Sequence, residues 1–427
     1  MGKPPIDLEV SPAPTIMAFG IAGGGRSQYY IVDEPEGERM RKTVRRYRVP
    51  SMKEVAGIRG TNGLKMVSTF SGCGGSCLGF EMAGFAVLWA SEFVEAARKV
   101  YVANHPDTIL DSRDIREVDA DDILAACGLR PGELDVFEGS PPCASFSMAG
   151  KREKSWGDVK KYSDVTQRTD DLFFEYVRLL DGLRPKTFVA ENVSGLVKGS
   201  AKGYFKMILA CLRECGYVVK ASVLDASLLG VPQKRERLIF FGVREDLGVA
   251  PRFPKPRLPV ISVREALIGA KPGKDDPIPS TFKKGGMMRR LYDMTNPGEG
   301  FDSGSKRIRG TSGCFQFRRN SFNKPSMTIV QGSQSACHPT EPRSFAIHEL
   351  KRICAFPDDF VLFGSYAKQW ERLGRAVPPL MMRAIAEEVQ SVLEEAGDVR
   401  VRGGGGKVRP FGSKKVCRKR KGWRRNG

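Results

Sequence analysis

From about Lys65 to Val243, short β-like runs alternate with helical stretches, and no other feature narrows the fold so far. The runs are Met66–Phe70, Ala86–Trp89, Leu134–Phe137, Thr187–Ala190, Val218–Leu224 and Leu238–Phe241. Strands that recur with a helix between them form a largely parallel sheet flanked by helices, an α/β architecture. Open sheets of this kind bind ligands at the carboxyl ends of their strands. The alternation breaks at Ala250, and through about Ser326 prolines, glycines and basic residues crowd in. That stretch predicts a separate, irregular module. Regularity returns near His348, where "RAVPPLMMRAIAEEVQSVLEEAG" reads as a Pro-initiated amphipathic helix ending at Gly397. A chain of 427 residues exceeds one typical core, so a large domain plus a smaller one is expected.

Composition removes several classes. No apolar run reaches about 18 residues, so no membrane span is expected. The start, Met1-Gly-Lys-Pro-Pro5, lacks the apolar stretch of a signal peptide, which predicts a cytoplasmic protein (nucleoid-associated in a bacterium). Ten cysteines without regular CxxC pairs suit reduced thiols better than a disulfide framework or a zinc site. Only His105, His338 and His348 are present, so neither a metal site nor a histidine triad is expected. The net charge is +20, and twelve Lys and Arg with no acid lie from Arg400 onward. With Gly403 to Gly406 this marks residues 398–427 as a disordered basic tail, a non-specific phosphate contact whose contribution falls with salt. Residues 1–64 read as an N-terminal extension. Its "PAPTI" (Pro12–Ile16) echoes "PSMTI" (Pro325–Ile329), and "RYRVPSMKEVAGI" parallels "RSFAIHELKRICA". Chance is the favoured account of matches so short, and a degenerate repeat packed beside the core is the sharper alternative.

Chemistry gathers at the strand ends. "EGSPPCASFSMAG" (Glu138–Gly150) places Cys143 behind Pro141-Pro142 and an apolar run. Each proline fixes its own φ and biases its neighbour toward extended backbone, so the thiol is aimed in one direction. After the first strand, "FSGCGGSCLGF" carries glycines at 72, 74 and 75 that let backbone approach a ligand. Glu92 ends the second strand, where an acid can hold a ribose hydroxyl. Asp114, in "SRDI", can take an adenine amino group. A full G-x-G-x-x-G is missing, which favours an adenosine compound without a pyrophosphate over a dinucleotide. Glu191 in "FVAENV" and Arg235 and Arg237 in "QKRER" add a carboxylate and two guanidiniums to the same edge. A thiolate adding to a ring carbon needs an acid on the ring nitrogen to absorb developing charge.

These motifs, in this order, resemble the cytosine-5 DNA methyltransferases over roughly Lys65 to Ala396. "FSGCGG" is similar to the family's cofactor motif, "GSPPCASFS" to its nucleophile motif and "ENV" to its acid motif. "QKRER" matches the Gln-x-Arg-x-Arg motif, and "RSFAIHELKRICAFPDDF" and "GRAVPP" the last two. The resemblance implies a Rossmann-like S-adenosylmethionine-dependent methyltransferase sheet with a smaller target-recognition domain. Catalytic domain, target-recognition region and completing segment would span residues 65–249, 250–330 and 331–397. Cys143 would attack C6 of a flipped cytosine, Glu191 would hold N3 and the exocyclic amine, and Arg237 would hold O2. Arg235 would steady the thiolate or a phosphate. S-Adenosyl-L-methionine would rest on Phe70, Ser71, Gly72, Gly74, Gly75, Glu92, Asp114, Ile115, Pro142, Arg375 and Val377. The basic stretch Ala144–Thr169 would close over DNA. The implied partner is double-stranded DNA, met by a monomer; a cognate restriction endonuclease, as in restriction-modification, leaves no mark in the sequence.

Two positions depart from the family pattern. Ala144 replaces the usual glutamine after the nucleophile, and Arg375 replaces the asparagine of Gly-Asn-x-Val. An arginine near the cofactor's sulfonium is repulsive unless compensated. It is expected either to turn to a phosphate or a local carboxylate, or to pair with a carboxylated S-adenosylmethionine analogue, which would yield carboxymethylated cytosine. An RNA cytosine-5 methyltransferase is the alternative on the same fold, though the Cys-Phe-Thr tripeptide of those relatives is missing. A catalytically inactive DNA-binding homologue is the third reading, opposed by the joint presence of Cys143, Glu191, Arg235 and Arg237.

Overall fold

The structure, a computed structural model, describes residues 47–142, 160–162, 165–167, 171–197, 201–273, 276–277, 279–314, 316–331 and 335–402. The first strands are β1 (Lys65–Thr69), β2 (Ala86–Ser91), β3 (Ile109–Asp111) and β4 (Val136–Gly139). A separate antiparallel hairpin, β5 (Lys160–Tyr162) and β6 (Val165–Gln167), follows within the basic stretch. Then come β7 (Thr187–Val193), β8 (Tyr217–Asp225) and β9 (Glu236–Arg244). The main sheet has seven strands in the order β3-β2-β1-β4-β7-β9-β8. It is parallel from β3 to β7, while β9 runs antiparallel to both neighbours. β3 has no counterpart among the apolar runs of the sequence, being a three-residue edge strand whose exposed Ile109 leaves no apolar run to read.

Helical periodicity builds the two layers. In α5 (Leu172–Leu183), Leu172, Phe173, Tyr176, Val177, Leu180 and Leu183 recur on one face and are buried. With α4 (Ala120–Cys127) and α6 (Lys202–Glu214) they cover one side of the sheet, against Phe137, Phe188 and Phe240. The other side packs α2 (Gly75–Glu81) and α3 (Glu95–Asn104) with three late helices, α10 (Ile347–Ile353), α11 (Tyr366–Arg375) and α12 (Pro379–Arg402). The short α1 (Met52–Ile58) adds Val55 to this core. α12 starts at Pro379 as expected but runs through Gly397 to Arg402. One helical glycine costs only about 1 kcal/mol relative to alanine, and burial of Val389, Val392 and Ala396 absorbs it. Among the described residues no helix is long and apolar enough to cross a membrane.

Between β9 and α10 the chain forms α7 (Val263–Leu267), α8 (Met287–Asp293), α9 (Phe301–Arg309) and a parallel two-residue pair, β10 (Arg318–Arg319) and β11 (Ala336–Cys337). Leu291, Tyr292, Phe301 and Cys337 form a small third core with Phe282 and Phe317 against it. Arg319 lies over the Tyr292 ring at 4.4 Å.

Candidate active site

β1 leads into a turn that only glycine can complete. Phe70 already has φ of 57°, and Gly74 has φ of 90°. A Cβ on Gly74 would collide with His105 Nε2, and one on Gly75 would collide with the Val377 carbonyl oxygen. The turn is therefore wedged between the end of α3 and the Ala376–Val377 link before α12. Glu92 spans its mouth, Oε2 accepting from Gly72 N at 2.8 Å and Oε1 from Val94 N at 2.6 Å. Burial still holds the Glu92 carboxyl above its ordinary value. Asp114, after β3, accepts from Arg116 N at 3.0 Å and pairs with the Arg116 guanidinium at 2.9 Å; Ile115 beside it is buried. Phe70, Ser71, Gly72, Gly74, Gly75, Glu92, Asp114 and Ile115 thus follow one another along the carboxyl edge of β1, β2 and β3. An open-backboned turn flanked by two carboxylates fits an adenosine with a diol and an amino group.

At β4 the frame for the thiol loop is hydrogen-bonded as far as Pro141. Ser140 N donates to Thr69 O at 3.3 Å, and Asn192 Nδ2 donates to Pro141 O at 3.2 Å. Pro141 is buried and Pro142 half-buried. Cys143 and Ala144 lie outside the described residues, as do most of Ala144–Thr169, the Pro12–Ile16 echo and residues 403–427. The described thiols around the turn are Cys73, Cys77 and Cys354, each at most 3% exposed. Burial pushes them up to about 11, 12 and 12 respectively, so they are protonated and inert at neutral pH.

Antiparallel pairing of β7 with β9 brings acid and base together. Val193 opposes Arg237 and Glu191 opposes Ile239, so Glu191 and Arg237 are diagonal neighbours on one face. Arg237 Nε meets Glu191 Oε1 at 2.7 Å. Arg235 is held by main-chain carbonyls. It is 1% exposed, and its guanidinium donates to Ile329 O and Gly374 O at 3.0 Å and to Arg375 O at 3.3 Å. Burial, with Arg237 nearby, lowers it to about 9. Those bonds fasten the last turn of α11 to the loop at Ile329. Gln233, fully buried, links Ile329 N at 3.2 Å to Cys354 Sγ at 3.3 Å.

Arg375 finds a local carboxylate. Its Nε donates to Glu371 Oε1 at 3.0 Å, and Arg372 Nη2 reaches the same oxygen at 3.0 Å. Three further residues had no assigned role in the sequence. Asn192 holds the proline loop, His105 props Gly74, and Glu138 is a carboxyl 1% exposed at the end of β4. A charge closing the apolar run Leu134–Phe137 was the available signal for Glu138.

Residues 64–391 match the family model described as C-5 cytosine-specific DNA methylase. The type II methyltransferase M.NgoFVII of Neisseria gonorrhoeae is 31% identical over 349 residues, 78% of this chain and 87% of the relative. M1.HphI of Haemophilus parahaemolyticus is 33% identical over 333 residues, 76% and 86% of the two chains. Among solved structures, Spodoptera frugiperda DNMT2 superposes with a TM-score of 0.54 at 18% identity, covering 78% of this chain and 99% of that one.

Proposed function

The chain belongs to the C-5 cytosine-specific DNA methylases, and from that premise we propose that it alkylates C5 of an extruded cytosine through a covalent bond to Cys143. The supporting observation is the Glu191–Arg237 pair at 2.7 Å, on the strand edge where Asn192 pins the proline loop. A thiolate from Cys143 adds to C6 and turns the ring into an enamine. Glu191, oriented by Arg237, holds N3 and the exocyclic amine, while Arg237 holds O2. S-Adenosylmethionine, held by the residues from Phe70 to Ile115 with Pro142 and Val377, supplies an electrophilic methyl group when bound. Loss of the C5 proton restores the double bond and expels the thiolate. The base leaves its stack first, at a cost of a few kcal/mol. Arg235 acts as a positioning residue that fixes the α11 end, and residues 250–330 read the DNA sequence. In single-turnover assays Glu191→Gln should slow product formation by at least about a hundredfold, the scale of a positioned acid; unchanged kinetics would remove Glu191 from the reaction.

A second reading concerns the methyl donor. Arg375, two residues before Val377, pairs with Glu371, and a carboxylated S-adenosylmethionine would compete with Glu371 for a bidentate pair with that guanidinium. Competition between the two donors, read by product mass in wild type and Arg375→Asn, separates them. Exclusive 5-methylcytosine from both proteins rejects the carboxylated donor.

A further inference from the structure

Beneath the glycine turn lies a buried polar chain that the reaction outlined above does not use. Glu138 Oε2 accepts from Ser68 Oγ at 2.6 Å, and Ser68 Oγ meets Ser71 Oγ at 2.8 Å. Ser71, 8% exposed, belongs to the cofactor turn. The hydroxyls of Ser76 and Ser140 also favour the charged carboxyl, although Oε1 completes no hydrogen bond of sound geometry within the described residues. Among the described residues, the titratable groups facing Glu138 are Glu191 on β7, Cys77 on α2 and Tyr176 on α5. None of them supplies positive charge, and Glu191 is already paired with Arg237. A carboxyl in such a place keeps its proton until a cation arrives. Burial, with repulsion from Glu191, accordingly raises Glu138 to about 7.

We propose that Glu138 is a proton-linked counter-charge for the cofactor, losing a proton when a sulfonium-bearing ligand settles on the Ser71–Gly75 turn and regaining it when the ligand is the neutral thioether. The inference rests on the reading that S-adenosylmethionine occupies this turn. The balance is simple. On binding, Glu138–COOH becomes carboxylate and its proton goes to solvent. After transfer the sulfonium has become a thioether, and the carboxylate takes a proton back. Binding of the charged donor then tightens as pH rises toward the free-state titration, and binding of the product does not.

The test is titration calorimetry of S-adenosylmethionine and S-adenosylhomocysteine in buffers of different ionisation enthalpy, near pH 6 and pH 7. In wild type the sulfonium ligand should release between about half a proton and one proton more than the thioether. Glu138→Gln should abolish that difference and flatten the pH dependence of donor affinity. Glu92, whose pKa is also raised, is the competing source, so release that persists in Glu138→Gln overturns the proposal. If Glu138→Gln does not fold, Ser68→Ala serves. Loss of the hydroxyl that favours the carboxylate should move proton release to higher pH, and an unmoved profile contradicts the inference. Failure of wild type to bind S-adenosylmethionine would instead overturn the underlying assignment of the turn.

Discussion

A carboxyl buried among serine hydroxyls and facing a second carboxyl binds its proton more tightly in the folded chain than in the unfolded one. For Glu138 the ordinary value is 4.5 and the folded value about 7. Between those values the native state holds the extra proton, so its stability should fall as pH rises from 4.5 to about 7 and then level off. Thermal melts across that range should show the decline in wild type and a flatter curve in Glu138→Gln; parallel curves would contradict the burial argument. Arg235 gives a second residue-scale prediction. Arg235→Met leaves the carbonyls of Ile329, Gly374 and Arg375 without their donor. Stability measured by denaturant should drop by about 2–4 kcal/mol, since orphaned buried carbonyls cost more than a departing charge returns. Candidate site residues were legible in the sequence where a motif fixes residue type and spacing, as at Glu191 and Arg237, which the fold pairs. Arg235 shows the limit: its motif position named it, but only the folded chain shows that its terminal nitrogens bond the carbonyls of Ile329, Gly374 and Arg375. His105 carried no sequence signal, because its contact with Gly74 joins segments about thirty residues apart.

At the scale of elements, the cofactor turn is held from outside. Gly75 touches the link before α12, and Gly74 touches the side chain that follows α3. Gly75→Ala should therefore weaken S-adenosylmethionine binding by at least about tenfold with a modest loss of stability, because backbone at Val377 cannot move as a side chain would. Equilibrium binding measures this; an unchanged affinity would show that the α2–α12 contact does not set the turn. Alternating apolar runs revealed most of the sheet, since buried parallel strands read as near-continuous apolar stretches. β3 escaped because it is short and at the edge. The antiparallel direction of β9 was also hidden, for an apolar run carries no sign of its direction. It is that direction which delivers Arg237 to Glu191.

For the whole molecule, charge and chemistry separate. Removing residues 403–427 should weaken DNA binding and flatten its dependence on salt, while the sequence that is modified stays the same, because phosphate contacts carry no base information. A changed sequence preference would show that the tail does more than attract phosphates. Replacing residues 250–330 with those of a relative should move the preference to the donor's. Cytosine C5 alkylation through Cys143 is tested most directly by nucleoside mass spectrometry of DNA treated with wild type and with Cys143→Ser, both confirmed to be folded and to bind S-adenosylmethionine. Wild type should yield a C5-modified cytosine and the serine variant none. Modification at another base or ring position, or comparable product from Cys143→Ser, would contradict it.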